Sequence, residues 1–142
     1  MSEVNIFLVE DDEVDAMSVK RALRELKICN PLYRATDGID ALEILRGANG
    51  KKKLPSPFII LLDLNMPRMG GLEFLDELRR DNELKRSVVF VMTTSAAEED
   101  RVRAYDKCIA GYMLKHSTAH TFLEAVVMLE HYWRVIEFPE AR

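Results

Sequence analysis

Cysteine is nearly absent from this chain. It occurs only as Cys29 and Cys108, without the paired spacing of a zinc site or a disulfide framework, so both are expected as free thiols in a reducing cytoplasm. No uninterrupted apolar stretch approaches the roughly 20 residues that cross a bilayer. The opening MSEVNIFLVEDD has no basic region or cleavage site, which argues against a secretory leader. Positive charge is not in excess: 20 Lys and Arg face 24 Asp and Glu, for a net charge of −4. That leaves no electrostatic case for binding nucleic acid. No glycine-rich loop follows the first apolar run, where a flavin or nucleotide binder would cradle phosphate. Three acids stand there instead. With 142 residues, 48% apolar and 31% charged, the chain is one ordinary globular domain, long enough to bury a core.

Short apolar runs at 4–9, 32–36, 58–62, 88–92 and 109–114 alternate with helical patterns at 14–27, 38–46, 72–80, 97–107 and 118 to about 135. Runs of this kind read as buried parallel strands. Val14, Met17, Ala22, Leu23 and Leu26 can share one face of the first helix, Phe74, Leu75 and Leu78 one face of the third. In the last helix the stripe is Phe122, Val126, Leu129 and Trp133. Asp12 or Glu13 is expected to cap the first helix and Asp37 the second. The stretch 47–57, with Lys51, Lys52, Lys53 and two prolines, is a loop and reads as a solvated insertion. The expected architecture is α/β, a doubly wound five-stranded parallel sheet of the flavodoxin-like type, in strand order 2-1-3-4-5.

In such a sheet the crevice lies at the carboxyl ends of the strands. Glu10, Asp11 and Asp12 end the first run, Asp63 the third, Thr93 the fourth and Lys115 the fifth. Singly, each has a plainer use: the acids and Thr93-Thr94-Ser95 as helix caps, Lys115 as a solvated side chain. Together they bring carboxylates, a hydroxyl and an ammonium to one edge. A lone carboxylate at the centre of the sheet, Asp63, can act as a nucleophile toward phosphorus. Phosphoryl transfer asks mainly for positioning and charge neutralisation. Clustered carboxylates need a proton or cation between them, and an oxygen-only set suits Mg²⁺.

The segments Val9-Glu10-Asp11-Asp12, Leu62-Asp63-Leu64-Asn65-Met66-Pro67, Met92-Thr93-Thr94-Ser95 and Tyr112-Met113-Leu114-Lys115 resemble the receiver domain of response regulators, over most of the chain. The resemblance implies that Asp63 is the phosphoacceptor. It further implies Mg²⁺ held by Asp11, Asp63 and the Asn65 backbone carbonyl, with Glu10 assisting. Thr93 would be the switch hydroxyl, Tyr112 the switch aromatic and Lys115 the phosphate-contacting lysine. Asn65 and Ser95 match positions that tune autodephosphorylation. The implied donor is a histidine kinase, and the chain would be a signalling protein rather than an enzyme, at most catalysing its own phosphorylation and dephosphorylation. One departure is His116, where the family commonly has a proline after a cis peptide. A cis bond before a non-proline costs about 2.5–4 kcal/mol, which disfavours one at Lys115-His116. His116, His120 and His131 are read as surface or loop residues, not ligands. A phosphatase of the haloacid dehalogenase type would need Asp-x-Asp at the nucleophile; Asp63-Leu64-Asn65 offers an amide, which cannot shuttle a proton.

No output domain is expected after the last helix, so the single receiver domain 1–142 would signal by protein contact or phosphate relay, in the cytoplasm and without a membrane. Residues from about 129 to 142 go beyond what a receiver core needs. Tyr132, Trp133, Ile136 and Phe138 could fold back as core, but apolar surface of that size more often marks an interface. They are taken as candidates for a homodimer contact. With the long loop and Thr93-Thr94-Ser95, this tail resembles phytochrome-associated response regulators, some of which dimerise through their C-terminal extension. The kinase would then be of the phytochrome type.

Overall fold

The computed structural model describes residues 3–115 and 119–139, the side chains of 119–123 excepted. Strands β1 (Asn5–Val9), β2 (Leu32–Ala35), β3 (Phe58–Leu62), β4 (Val88–Thr93) and β5 (Gly111–Leu114) alternate with helices. These are α1 (Glu13–Glu25), α2 (Gly38–Arg46), α3 (Gly71–Arg80), α4 (Glu98–Asp106) and α5 (Ala119–Val135). All four strand pairings are parallel, in the order β2-β1-β3-β4-β5. The fold is the expected doubly wound, flavodoxin-like α/β sheet. Connections leave β1 and β3 in opposite directions, which opens the crevice between their carboxyl ends.

The strands read as continuous apolar runs because both faces of the sheet are covered. Phe7, Val9, Ile60, Leu62, Val89 and Val91 point into one core with Leu45, Phe74 and Leu78 from α2 and α3. Ile6, Leu8, Ile59, Leu61, Phe90 and Met92 point into the other, with Ala16 and Val19 from α1 and Val126, Leu129 and Trp133 from α5. Asp12 and Asp37 cap α1 and α2 as expected, each accepting from backbone N–H groups of the first turn. Helix α4 buries only Ala104. In the 47–57 loop Lys51 pairs with Asp40 at 2.6 Å, while Leu54 is buried in the first core.

Three expectations change. The buried face of α1 is Ala16, Val19, Ala22 and Leu23, while Val14 and Met17 are 71% and 55% exposed. The apolar residues of α1 fit two overlapping stripes, and the smaller i, i+3, i+7 set starting at Ala16 is the one that meets the sheet. Ser95 is not the cap of α4; Ala97 is, without a side-chain bond. The tail also divides. Trp133 is 7% exposed and Tyr132 packs against the second core, its ring edge-on to Phe90 at 5.0 Å. Val126, Leu129 and Trp133 repeat at i, i+3 and i+7, so one helical stripe carries all three onto the sheet. Phe138 is half-buried against the same core, whereas Val135 and Ile136 remain exposed. His116 and the start of α5 near 118 lie outside the described residues, as do the side chains of His120 and Phe122.

Gly71 opens α3 where the chain returns from Asp63. A Cβ there would lie 2.5 Å from the Asp63 carbonyl oxygen and 2.7 Å from the Leu64 Cα. Both are backbone atoms of the strand exit, so neither can rotate aside. Gly71→Ala is expected to destabilise the fold by about 2–3 kcal/mol, read as a lower urea midpoint at unchanged slope. A midpoint equal to the wild type would show that this exit is more yielding than its packing indicates.

Candidate functional site

At the end of β1, Glu10 is 2% exposed while Asp11 is exposed. Asp12 turns away to cap α1, with Oδ1 accepting from the N–H groups of Val14 at 2.8 Å and Asp15 at 3.2 Å. Arg34, from β2, fastens this turn from behind. Its Nε donates to the Glu10 carbonyl at 2.9 Å, Nη2 to the Asp11 carbonyl at 3.2 Å, and Nη1 to Glu13 Oε1 at 2.9 Å. These bonds hold the acidic turn in place where its own charge would drive it apart.

At the end of β3, Asp63 is 6% exposed and its N–H donates to the Val9 carbonyl at 3.0 Å. Asn65 follows in an exposed position. The rest of this loop is fixed against α2: Gly38 N–H donates to the Met69 carbonyl at 3.0 Å, and Arg68 Nε to Asp37 Oδ2 at 2.7 Å. Carboxylate oxygens of Glu10, Asp11 and Asp63 all lie within 4.8 Å of one another, the one such cluster among the described residues. The donor set is oxygen only, which fits a hard divalent cation.

From β4 and β5 come the two remaining groups. Thr93 is fully buried, and its carbonyl accepts from the Lys115 N–H at 2.9 Å. The Lys115 ammonium, 9% exposed, pairs with Glu10, with Asp15 at 2.9 Å and with Asp63 at 3.5 Å. Thr93 also begins a path outward. Its Oγ1 accepts from the Ser95 N–H at 3.3 Å, and the Ser95 carbonyl accepts from the Tyr112 hydroxyl at 2.8 Å. The Ser95 hydroxyl donates to Asp100 at 2.6 Å, and the Arg101 guanidinium lies 5.9 Å from the centre of the Tyr112 ring.

Burial pushes the Glu10 carboxyl up to about 7; its hydrogen bond from Lys115 opposes that and the Asp63 charge adds to it. Burial works against the Lys115 ammonium, but its bonds to Glu10 and Asp15 and the Asp63 charge prevail, and its pKa is raised. Four carboxyl groups, Glu10, Asp11, Asp15 and Asp63, thus share this edge with one ammonium.

Glu10, Asp11, Asp63, Thr93 and Lys115 thus meet at one edge of the sheet, with Asn65, Ser95 and Tyr112 in the loops and strand around it. The tail does not join them: Phe138 and Pro139 lie with Pro57, Phe58 and Val88 at the other, amino-terminal end of the strands. Sequence reasoning passed over Asp15 and Arg34. Asp15 reads as an ordinary first-turn acid complementing the helix dipole, and Arg34 as a polar residue on an edge strand.

A sequence profile described as the response regulator receiver domain matches residues 6–127. Response regulator Rcp1 of Synechocystis sp. is 34% identical over 128 residues, spanning 90% of this chain and 87% of that one. The solved structure of the phosphorylated cyanobacterial phytochrome response regulator RcpA superposes with a TM-score of 0.88 at 31% identity, covering 98% of this chain and 100% of that one. The Mn²⁺-bound form of Rcp1 gives 0.85 at 32% identity, covering 96% and 99%.

The Glu10 shift has a measurable consequence. Its folded-state value near 7 lies above the ordinary 4.5, so the stability tied to this group is complete below pH 4.5 and is lost as pH rises through 7. Glu10→Gln has no such titration. Without divalent cations, it is expected to exceed the wild type by about 1–3 kcal/mol at pH 8 and to match it near pH 4.5. Urea denaturation at both pH values checks this; a difference independent of pH would rule out the titration as its cause.

Proposed function

The chain belongs to the response regulator receiver family, and from that premise we propose that Asp63 is its phosphoacceptor. Receiver domains are signalling proteins of two-component systems; they accept phosphate from histidine kinases and bind Mg²⁺ or Mn²⁺ at an acidic site. For this chain the proposed donor is a phosphohistidine on a kinase of the phytochrome type, since the relatives include a phytochrome response regulator. The whole of 1–142 is read as one cytoplasmic receiver domain. The observation that carries the reading is Asp63 itself, a buried carboxylate with an ammonium 3.5 Å away and two further acids in reach.

In the transfer, a carboxylate oxygen of Asp63 bonds to phosphorus as the bond to the kinase imidazole nitrogen breaks. Glu10, Asp11, Asp63 and the Asn65 carbonyl are the proposed ligands of Mg²⁺, which when bound supplies positive charge against the transferring group. Lys115 donates to a phosphoryl oxygen. Thr93 donates to another, and in turning inward it disturbs the bond from Ser95. Because Ser95 also accepts from Tyr112, a shift at Thr93 reaches the ring directly, and Tyr112 moves between two packings. Asn65 and Ser95, flanking the site, are proposed to set how quickly water removes the phosphoryl group. The chain would be no enzyme toward other substrates.

Dimerisation through the C-terminal extension rests on less surface than the tail sequence offers. Tyr132 and Trp133 are taken up by the core; Val135, Ile136 and the exposed part of Phe138 remain. Ile136→Asp is expected to convert a dimer to a monomer in sedimentation without moving the unfolding midpoint. A wild type that is monomeric throughout would remove the dimer.

Intact mass after incubation with a small acyl phosphate and Mg²⁺ tests the central assignment. One labile phosphoryl adduct is expected on the wild type, and none on Asp63→Asn or in the presence of EDTA. An adduct that survives Asp63→Asn would place the acceptor elsewhere.

A further inference from the structure

Asp15 has no part in the roles given above, yet it holds one end of the site. Its side chain is 19% exposed, and its Oδ2 accepts from Lys115 Nζ at 2.9 Å across 100 residues of sequence. An ammonium has three N–H donors. Lys115 pairs with three carboxylates: it is hydrogen-bonded to Glu10 and Asp15 and lies 3.5 Å from Asp63.

The three partners are not equivalent. Glu10 and Asp63 belong with Asp11 to the cluster whose oxygens converge within 4.8 Å; Asp15 stands outside it. Oxygens of Glu10 and Asp63 given to a cation are weakened as acceptors for the ammonium, and a phosphoryl group on Asp63 takes one of its oxygens outright. Asp15 is the partner that neither event removes. It is also held firmly, since it sits in the first turn of α1 and its N–H is tied to the Asp12 cap at 3.2 Å. The lysine backbone is fixed by its bond to the Thr93 carbonyl at 2.9 Å. Between these two fixed points lies a flexible four-carbon stem, which loses much rotamer freedom when its end is held.

We propose that Asp15 is a positioning residue: it anchors the Lys115 ammonium from outside the cation cluster and keeps it aimed at the phosphoryl oxygens while its other partners change. Without it, Lys115 settles onto Glu10 and Asp63, the oxygens that a cation and the phosphoryl group need, or swings out to solvent. Either movement slows phosphorylation. This rests on the phosphoacceptor reading of Asp63, and the test separates the two.

The test uses the full chain as wild type, Asp15→Asn, Asp15→Glu and Lys115→Met, and as the double variant carrying Asp15→Asn with Lys115→Met. The first readout is the proton–nitrogen NMR signal of the Lys115 ammonium, without cation or phosphate, beside the backbone amide spectrum. Asp15→Asn is expected to shift or lose the ammonium signal while amides beyond α1 and the site stay in place. The second is the rate of phosphoryl labelling by a small acyl phosphate with Mg²⁺. Asp15→Asn is expected to slow it about tenfold, and Asp15→Glu to recover part of the loss. In the Lys115→Met background the same Asn substitution is expected to change the rate less than twofold. An equal loss in both backgrounds would overturn the anchor in favour of a general field or folding effect. An unchanged ammonium signal would overturn it too. A wild type that cannot be labelled at all would instead sink the phosphoacceptor reading, and the ammonium signal would still decide the contact.

Discussion

A single ammonium, Lys115 Nζ, is shared among carboxylates just past the ends of β1 and β3 and in the first turn of α1, and the crevice depends on that sharing. Taking a charge out of water is costly unless it is paired. Here the pairing adds side-chain contact between three segments that strand pairing and the packing of α1 already bring close. Apolar packing brings the strands side by side, but it thins past Val9, Leu62 and Met92. Beyond those residues ion pairs, caps and backbone bonds take a larger share, although Leu64 still reaches the first core. The ammonium does not offset everything: burial, with the Asp63 charge adding to it, holds the Glu10 carboxyl well above its ordinary range. The convergent oxygens of Glu10, Asp11 and Asp63 are a donor set that suits a hard cation.

The surrounding structure serves to hold that unfavourable arrangement still. Arg34 grips the carbonyls of Glu10 and Asp11 from β2. Arg68 and Gly38 fix the far side of the Asp63 loop against α2. Gly71 lets α3 begin in contact with the strand exit, because no side chain fits between it and the Asp63 carbonyl. None of these residues faces the crevice chemically. Each removes a freedom that like charges would otherwise exploit, which is how a preorganised site is supported from outside.

The route out of the site has the same economy. Thr93, Ser95 and Tyr112 are joined by two hydrogen bonds through one residue, from a fully buried hydroxyl to a half-buried ring. Helix α4, beside that ring, contributes only one buried residue. An element so lightly packed shifts at small cost, whereas α5 is fastened by Leu129, Trp133 and the Tyr132–Phe90 ring contact. A displacement at Thr93, as proposed, would therefore have a soft side to move and a firm one to move against.

Local pattern carried much of this protein. Continuous apolar runs meant strands covered on both faces, turn residues and caps separated them from helices, and handedness then left few sheet orders. Placing Glu10, Asp11, Asp63, Thr93 and Lys115 at strand ends was enough to bring them together, because strand ends in a parallel sheet share one edge. Three matters needed the tertiary structure. Which of two stripes α1 buries depends on the helix and sheet it meets, so Val14 and Met17 ended outside. Whether Trp133 faces a partner or the core depends on where α5 lies over Phe90, and an apolar side chain reads the same either way. Asp15 looked like any acid at a helix start. Its partner is 100 residues away, and only the packing of α1 beside β5's end brings a carboxylate within hydrogen-bond distance of that ammonium. Periodicity along a chain records which face a residue takes; contact across it is set by how whole elements pack.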